Sequence, residues 1–277
     1  MRLSTLDFHD LDLDPVVQEA ARRLDEARRR GQPMRQLTER WPQLDADTAE
    51  AIQRVGFALR QEAGETLTGW KMGLTSRAKM VQVGVHEPIR GRLGSATALP
   101  DGATLALSGF CHPRVEPEIA FVVGRDVDGN PSTAELLDAM ALVVPALEVI
   151  DSRYENFRFT LADVVADNTS AARYVLGGPG LRPSELRRRG LQLEDLGVVF
   201  EVDGTVAHTA SAAAILDGPQ HALASLQRSL AEQGQGLRRG EVVLAGAATA
   251  AVPLQGKRYV RATVEALGSV SLRIASQ

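Results

Sequence analysis

His112-Pro113-Arg114-Val115-Glu116-Pro117-Glu118-Ile119-Ala120-Phe121-Val122-Val123 opens polar and closes apolar. Its second half, Glu118 to Val123, is rich in β-branched and aromatic residues and is predicted to be a strand. It stops at Gly124-Arg125-Asp126 and Asp128-Gly129-Asn130, both turn signals. Residues i and i+2 of a strand share a face, so Glu116 and Glu118 stand side by side at its head. Like charges so placed repel each other. Open solvent tolerates such a pair. So does a bound cation, and hard cations such as Mg2+ or Mn2+ take oxygen ligands.

Outward from this strand the texture differs on the two sides. Upstream, Val16 to Arg30 carries Val16, Val17, Ala20, Ala21 and Leu24 on one helical stripe, behind an Asp14-Pro15 start signal. Asp47 to Gln61 repeats the pattern with Ala49, Ile52, Val55 and Leu59, after the Gly31-Gln32-Pro33 turn. From Trp70 onward short apolar runs alternate with Gly, Pro and Asp. Ala134 to Val144 is predicted helical and Ala146 to Ile150 extended. Val198 to Val202, followed by Asp203-Gly204, is one arm of a hairpin. His221 to Gln233 is an amphipathic helix, and Val242–Leu244, Tyr259–Val264 and Ser269–Ile274 are late strands. Helices first and strands later, without regular βαβ alternation, predict an α+β fold. We expect a helical N-terminal region over 1–65, packed on a β-rich catalytic domain over 66–277.

With 277 residues, 44% of them apolar and 24% charged, the chain can bury a sizeable core. A formal net charge of −4, with Lys and Arg dispersed, does not suggest a nucleic-acid binder. The short Arg187-Arg188-Arg189 run reads as a solvated helix end. Cys111 is the single cysteine, which rules out an intrachain disulfide and fits a reducing compartment. It reads as a small buried hydrophobe rather than a nucleophile. There is no signal-like N-terminal run, and no stretch near the ~18 apolar residues of a membrane span. The expectation is a cytoplasmic protein with no membrane partner.

Three further segments carry candidate chemistry. In Val144-Pro145-Ala146-Leu147-Glu148-Val149-Ile150, Glu148 is a lone acid in a run that otherwise reads as buried, and burial of an unpaired charge is costly. A half-exposed strand, or a salt bridge to Arg153 or Arg114, would also accommodate it, and Asp151 is a competing acid. In Gly69-Trp70-Lys71-Met72-Gly73-Leu74-Thr75-Ser76, Lys71 lies between apolar residues and near glycines that allow close approach to a ligand. A partly buried lysine can shuttle protons, whereas a snorkelling surface lysine needs no function. In Asp163-Val-Val-Ala-Asp167-Asn168-Thr169-Ser170, a helix cap or Asx turn explains the polar cluster, and so does hydrogen bonding to a substrate carboxylate.

Taken in order, these segments resemble the fumarylacetoacetate hydrolase superfamily, in its hydratase/decarboxylase branch. The residues that carry the resemblance are Lys71 to Ser76 with Ala78-Lys79-Met80 and Gly84-Val85, Val115 to Ile119, Glu148 to Phe157, Val165 to Ser170, Thr249 to Pro253, and Leu267 to Ser271. The resemblance implies a rolled mixed sheet and a Mg2+ or Mn2+ ion held by Glu116, Glu118 and a third acid thirty residues on, which is Glu148 rather than Asp151. It makes Lys71 the catalytic lysine. It places Leu74, Ser76, Asp167, Asn168, Ser170 and Thr249 around a small 2-oxo acid substrate, and Arg153 is the candidate for a distal carboxylate. One departure is Ala247, where relatives tend to have glycine. The implied activity is decarboxylation of 2-oxo-3-hexenedioate to 2-hydroxypenta-2,4-dienoate and CO2, in aromatic (catechol meta-cleavage) catabolism. The alternatives are a 2-oxopent-4-enoate hydratase, or a non-catalytic subunit of a hydratase–decarboxylase complex. A homo-oligomer, or a complex with the sister hydratase, is implied as well.

Overall fold

The computed structural model describes residues 12–76, 80 and 87–275. Arg77, Ala78-Lys79 and Gly84-Val85 lie outside the described residues. The chain begins with helix α1 (Pro15–Arg30), whose cap Asp14 accepts hydrogen bonds from the backbone N–H groups of Val16 and Val17. Its buried stripe is Val17, Ala20, Ala21, Leu24 and Ala27. After the short α2 (Leu37–Arg40), α3 (Ala46–Glu62) packs against α1. These helices share a core with Tyr154, Val165 and Ala166 from the β-rich part of the chain. Asp163 ties the two regions together: its carboxylate accepts from Thr38 N at 3.0 Å and Thr38 Oγ1 at 2.8 Å.

Among the described residues the strands form two sheets. The larger runs β2 (Ile89–Gly94), β1 (Leu67–Gly73), β11 (Val242–Ala247), β5 (Arg114–Val123), β6 (Met140–Ile150), β7 (Ala171–Leu176) and β3 (Ala98–Leu99), with β12 (Val252–Pro253) also on β5. It is mixed: β1–β11 and β7–β3 are parallel, and the other pairs are antiparallel. The smaller sheet runs β10 (Thr205–Ser211), β9 (Gly197–Val202), β13 (Tyr259–Val264), β14 (Gly268–Ile274) and β4 (Thr104–Leu105), with β8 (Gly178–Pro179) on β14. The expected Asp203-Gly204 turn joins β9 to β10.

The faces of the large sheet have separate tasks. Val115, Leu147, Val149 and Val175 pack against Phe200, Val260, Ala262, Val270 and Leu272 of the small sheet. Trp70, Met72, Ile119 and Phe121 pack against Leu223, Leu226 and Leu230 of helix α7 (Pro219–Glu232). The opposite face carries Ala120, Val144, Ala146, Tyr174 and Leu244. By the two-residue alternation of strands it also carries Lys71, Arg114, Glu116, Glu118 and Glu148.

One predicted boundary is corrected. The helix expected over Ala134–Val144 is only α4 (Thr133–Asp138), and β6 already begins at Met140. Pro145 disfavours the helical region for Val144, and β6 pairs along its whole length with β5, from Met140 opposite Val123 to Ile150 opposite Arg114. Helices α5 (Leu161–Ala166) and α6 (Pro183–Arg188) complete the fold. The Arg187–Arg189 run is the solvated end of α6. No helix among the described residues is long and apolar enough to cross a membrane.

Candidate metal and substrate site

The register of β5 against β6 sets Glu116 directly opposite Glu148, on the face that also carries Glu118. One carboxylate oxygen from each of the three lies within 4.8 Å of the other two. Glu118 and Glu148 are almost completely buried, at 1% and 0% exposure, so neither the solvated-edge nor the half-exposed reading applies to them. Lys71 comes in from β1, 3% exposed, with Nζ 2.9 Å from Glu148 Oε2 and donating to Thr169 O at 3.1 Å. It is not a snorkelling surface lysine.

A break in the ladder supplies the other polar contact. The β11–β5 register shifts between Leu244 and Ala247, beside Pro117, which has no N–H to offer. At the shift Gly246 adopts φ +109°, and its N–H turns inward to Glu118 Oε2 at 2.8 Å. A Cβ on Gly246 would lie 2.1 Å from Thr75 Oγ1, so glycine is required there by both conformation and space.

The electrostatics follow from this crowding. Burial, with Glu148 and Glu116 adding repulsion, holds Glu118 well above the ordinary carboxylate range despite Lys71 and the Gly246 N–H. Burial also raises Glu148, against the pull of Lys71. Burial alone would lower Lys71. The charges of Glu148, Glu116 and Glu118 outweigh that and keep its ammonium protonated. Among the described residues Glu118 Oε1 and Glu148 Oε1 are buried without a hydrogen-bond partner. A divalent hard cation fits this set: the ligand atoms are all oxygen, and among the described residues three carboxylates face one lysine and two buried oxygens lack hydrogen-bond partners.

Beside the cluster opens a cavity of about 380 Å3 lined by Lys71, Leu74, Ser76, Arg114, Glu116, Phe157, Phe159, Thr169, Ser170 and Ala247, among others. Leu74, at φ +55°, turns the chain away from β1 at the cavity wall. Ser170 Oγ is buried there with no hydrogen-bond partner among the described residues. The structure therefore brings Lys71, Leu74, Ser76, Glu116 and Ser170 to one cavity, with Glu118 and Glu148 packed alongside.

Other expected site residues lie elsewhere. Arg153, expected near a distal carboxylate, is 3% exposed and is not among the residues lining this cavity. Its Nε and Nη2 donate to Oδ1 and the carbonyl of Asp167, and its Nη1 donates to Asp151 O at 2.6 Å and Ala171 O at 3.3 Å. Four of its five side-chain N–H donors are used in these bonds, and Asp167 already balances its charge. Asp167 is thereby the structural partner of Arg153. Asn168 mimics a strand neighbour of Arg92, accepting from its N at 2.7 Å and donating to its O at 2.9 Å. Those bonds hold Asn168, Thr169 and Ser170 in three successive left-handed conformations, which presents the Thr169 carbonyl to Lys71. Among the described residues Thr249 Oγ1 bonds to Ala250 O, at 3.3 Å, and Thr249 is not among the lining residues. Gly73 approaches the Thr169 methyl rather than a ligand: a Cβ there would sit 2.5 Å from it. Asp151 accepts from the backbone N–H of Cys111 at 3.0 Å and of His112 at 2.5 Å, so it ties down the loop before β5. Burial, with Asp151 adding to it, pushes the Cys111 thiol up to about 12, which leaves it inert at neutral pH.

The residues that sequence reasoning missed are Arg114, Phe157 and Phe159. The available signal was spacing: Arg114 stands two before Glu116 and so shares its face.

Residues 76–275 match the fumarylacetoacetate (FAA) hydrolase C-terminal family. The chain is 42% identical over 255 residues to a 4-oxalocrotonate decarboxylase from a Pseudomonas species, covering 92% of this chain and 96% of the relative. It is 36% identical over 260 residues to a 2-keto-4-pentenoate hydratase from Paraburkholderia xenovorans, covering 94% and 95%. Among solved structures, 4-oxalocrotonate decarboxylase from Pseudomonas putida G7, complexed with magnesium and adipate, superposes with a TM-score of 0.88 at 35% identity, covering 98% of this chain and 99% of that one.

Proposed function

This chain belongs to the fumarylacetoacetate hydrolase family, and from that premise we propose that it is a divalent-metal-dependent carboxy-lyase converting 2-oxo-3-hexenedioate to 2-hydroxypenta-2,4-dienoate and CO2. The observation that carries the reading is the buried cluster of Glu116, Glu118 and Glu148 with Lys71 at the edge of a small cavity. Full-length similarity to decarboxylases supports the reaction.

In this reading Glu116, Glu118 and Glu148 hold Mg2+ or Mn2+. The ion, when bound, supplies Lewis-acid polarisation of the 2-oxo acid. The chain's own groups do the rest. Cleavage of the C5–C6 bond releases CO2 and sends its electron pair through the C3–C4 double bond to the C2 oxygen. Lys71, kept protonated by its carboxylate neighbours, is the donor to that oxygen through Nζ. Its bonds to Glu148 and Thr169 O fix the ammonium before substrate arrives, so little reorganisation is needed. The Ser170 hydroxyl, Ser76 and Leu74 orient the substrate. The enzyme works as a homo-oligomer or in complex with the hydratase that consumes its product.

The test is a paired assay on one preparation with Mg2+. CO2 release from 2-oxo-3-hexenedioate with little hydration of 2-hydroxypenta-2,4-dienoate is expected. Rapid hydration without CO2 release would reassign the chain as the hydratase.

A further inference from the structure

The substrate proposed above carries a second carboxylate, for which an arginine in the same cavity is the best-matched partner. Among the described residues that line the cavity, the cations are Lys71, which is engaged by Glu148, and Arg114. Arg114 is half-buried at the start of β5, on the face of Glu116 and Glu118. Its guanidinium lies 4.1 Å from the centre of the Phe157 ring. Among the described residues it makes no ion pair and no side-chain hydrogen bond, in contrast to Arg153. The ring covers one face of the guanidinium and leaves the in-plane N–H fork open.

We infer that Arg114, held by Phe157, recognises the second carboxylate and makes the site selective for six-carbon 2-oxo dioates over 2-oxo monoacids. This rests on the reading of the carboxylate cluster as the anchor for the 2-oxo acid end. Two residues of strand separate Arg114 from Glu116, about 7 Å between Cα atoms. The terminal carboxyl carbons of an extended six-carbon diacid lie about 6 Å apart, five single-bond steps along a zigzag. A six-carbon diacid anchored at the carboxylate cluster thus has a length on the scale of that spacing, and Arg114 lines the same cavity as Glu116 and Lys71, whereas a five-carbon monoacid has no second carboxylate to offer. Half-burial in a partly apolar wall strengthens the contact over its value in water. Stacking on one face also keeps the contact edge-on and limited, which suits a carboxylate that must leave as neutral CO2.

The experiment is calorimetric binding of 2-oxoadipate and 2-oxohexanoate to the Mg2+-loaded enzyme. These saturated probes share the 2-oxo acid end, differ only in the far carboxylate, and lack the double bond that cleavage requires. The wild type should prefer 2-oxoadipate by roughly 10- to 100-fold, the scale of a hydrogen-bonded charge pair. Arg114→Met should bring the two within about threefold by weakening 2-oxoadipate alone, and Arg114→Lys, which keeps charge without the fork, should fall between. Unchanged 2-oxohexanoate binding reports an intact site in each variant. A wild type without preference overturns the inference, as does a full preference retained in Arg114→Met. If Arg114→Met does not fold, an undiminished preference in Arg114→Lys with the distal affinity of the wild type overturns it equally. A wild type that shows the preference but releases no CO2 from 2-oxo-3-hexenedioate refutes the reaction assignment and leaves the role of Arg114 standing.

Discussion

Replacing Lys71 by Met removes the only ammonium that faces the carboxylate cluster among the described residues, at nearly constant volume. In the metal-free protein Glu118 then keeps the Gly246 N–H, while Glu148 loses its ammonium partner. Breaking a buried pair from one side costs about 3–5 kcal/mol. Protonation caps that cost. A glutamate with an ordinary value of 4.5 can be neutralised for about 1.4 kcal/mol per pH unit above it, hence about 4 kcal/mol at pH 7.5 and about 1.4 kcal/mol at pH 5.5. Lys71 itself stays charged in both states far below 10.5, so across this range the pH dependence comes from the glutamates. Their folded values are raised, so the folded state is favoured at low pH and loses stability as pH climbs from 4.5 through the raised value. Metal-free Lys71→Met should therefore melt roughly 5–10 °C below the wild type at pH 7.5, and the deficit should shrink toward pH 5.5.

Saturating Mg2+ should restore most of that deficit, because a cation among the carboxylates replaces the missing charge. Turnover should stay down by roughly 10²- to 10⁴-fold, the usual worth of a positioned proton donor. Thermal melts at pH 5.5, 6.5 and 7.5, with chelator and with Mg2+, paired with CO2 release, read both effects. A metal-free variant as stable as the wild type at pH 7.5, or a deficit that grows as pH falls, would refute the electrostatic account of the cluster.

Three other perturbations separate the parts of the site. Glu118→Gln should abolish Mg2+-dependent turnover while leaving the metal-free melting temperature unchanged or slightly higher, since it relieves repulsion among three acids; a lowered melting point would show that the charge at Glu118 holds the fold. Arg153→Ala should cost about 3–5 kcal/mol of stability by stranding Asp167, measurable by denaturant titration, and should lower the kcat of the surviving folded enzyme more than it changes KM, because Arg153 acts through the 168–170 turn rather than on the substrate. Apparent Mg2+ affinity, followed by calorimetry, should weaken toward low pH by up to tenfold per unit for each proton displaced, because the raised Glu118 must release its proton to serve as a ligand; a flat profile from pH 5.5 to 7.5 would count against a protonated carboxyl in the cluster.

Much of this site is legible in the chain because strands carry a strict alternation. Glu116 and Glu118 share a face by spacing alone, and an acid inside Ala146-Leu147-Glu148-Val149 demands a partner. Spacing does not give register. That Glu148 falls opposite Glu116 depends on where α4 stops and β6 begins, and the longer helix expected over Ala134–Val144 misplaces that point. The corrective signal was present in Pro145, which disfavours helix at Val144. The choice between arginines was out of reach for a different reason. Arg114 and Arg153 both flank strand ends near acidic motifs. What distinguishes them is whether a carboxylate folds back onto the guanidinium, and Asp167, at the end of α5 and directly before the turn that Asn168 pins to Arg92, does so for Arg153. The saturated arginine fixes the position of the 168–170 turn, that turn offers the Thr169 carbonyl to Lys71, and Lys71 meets Glu148. Arg153 thus acts on the chemistry through backbone placement, and Arg114, which pairs with no carboxylate among the described residues, is the one of the two that faces the cavity.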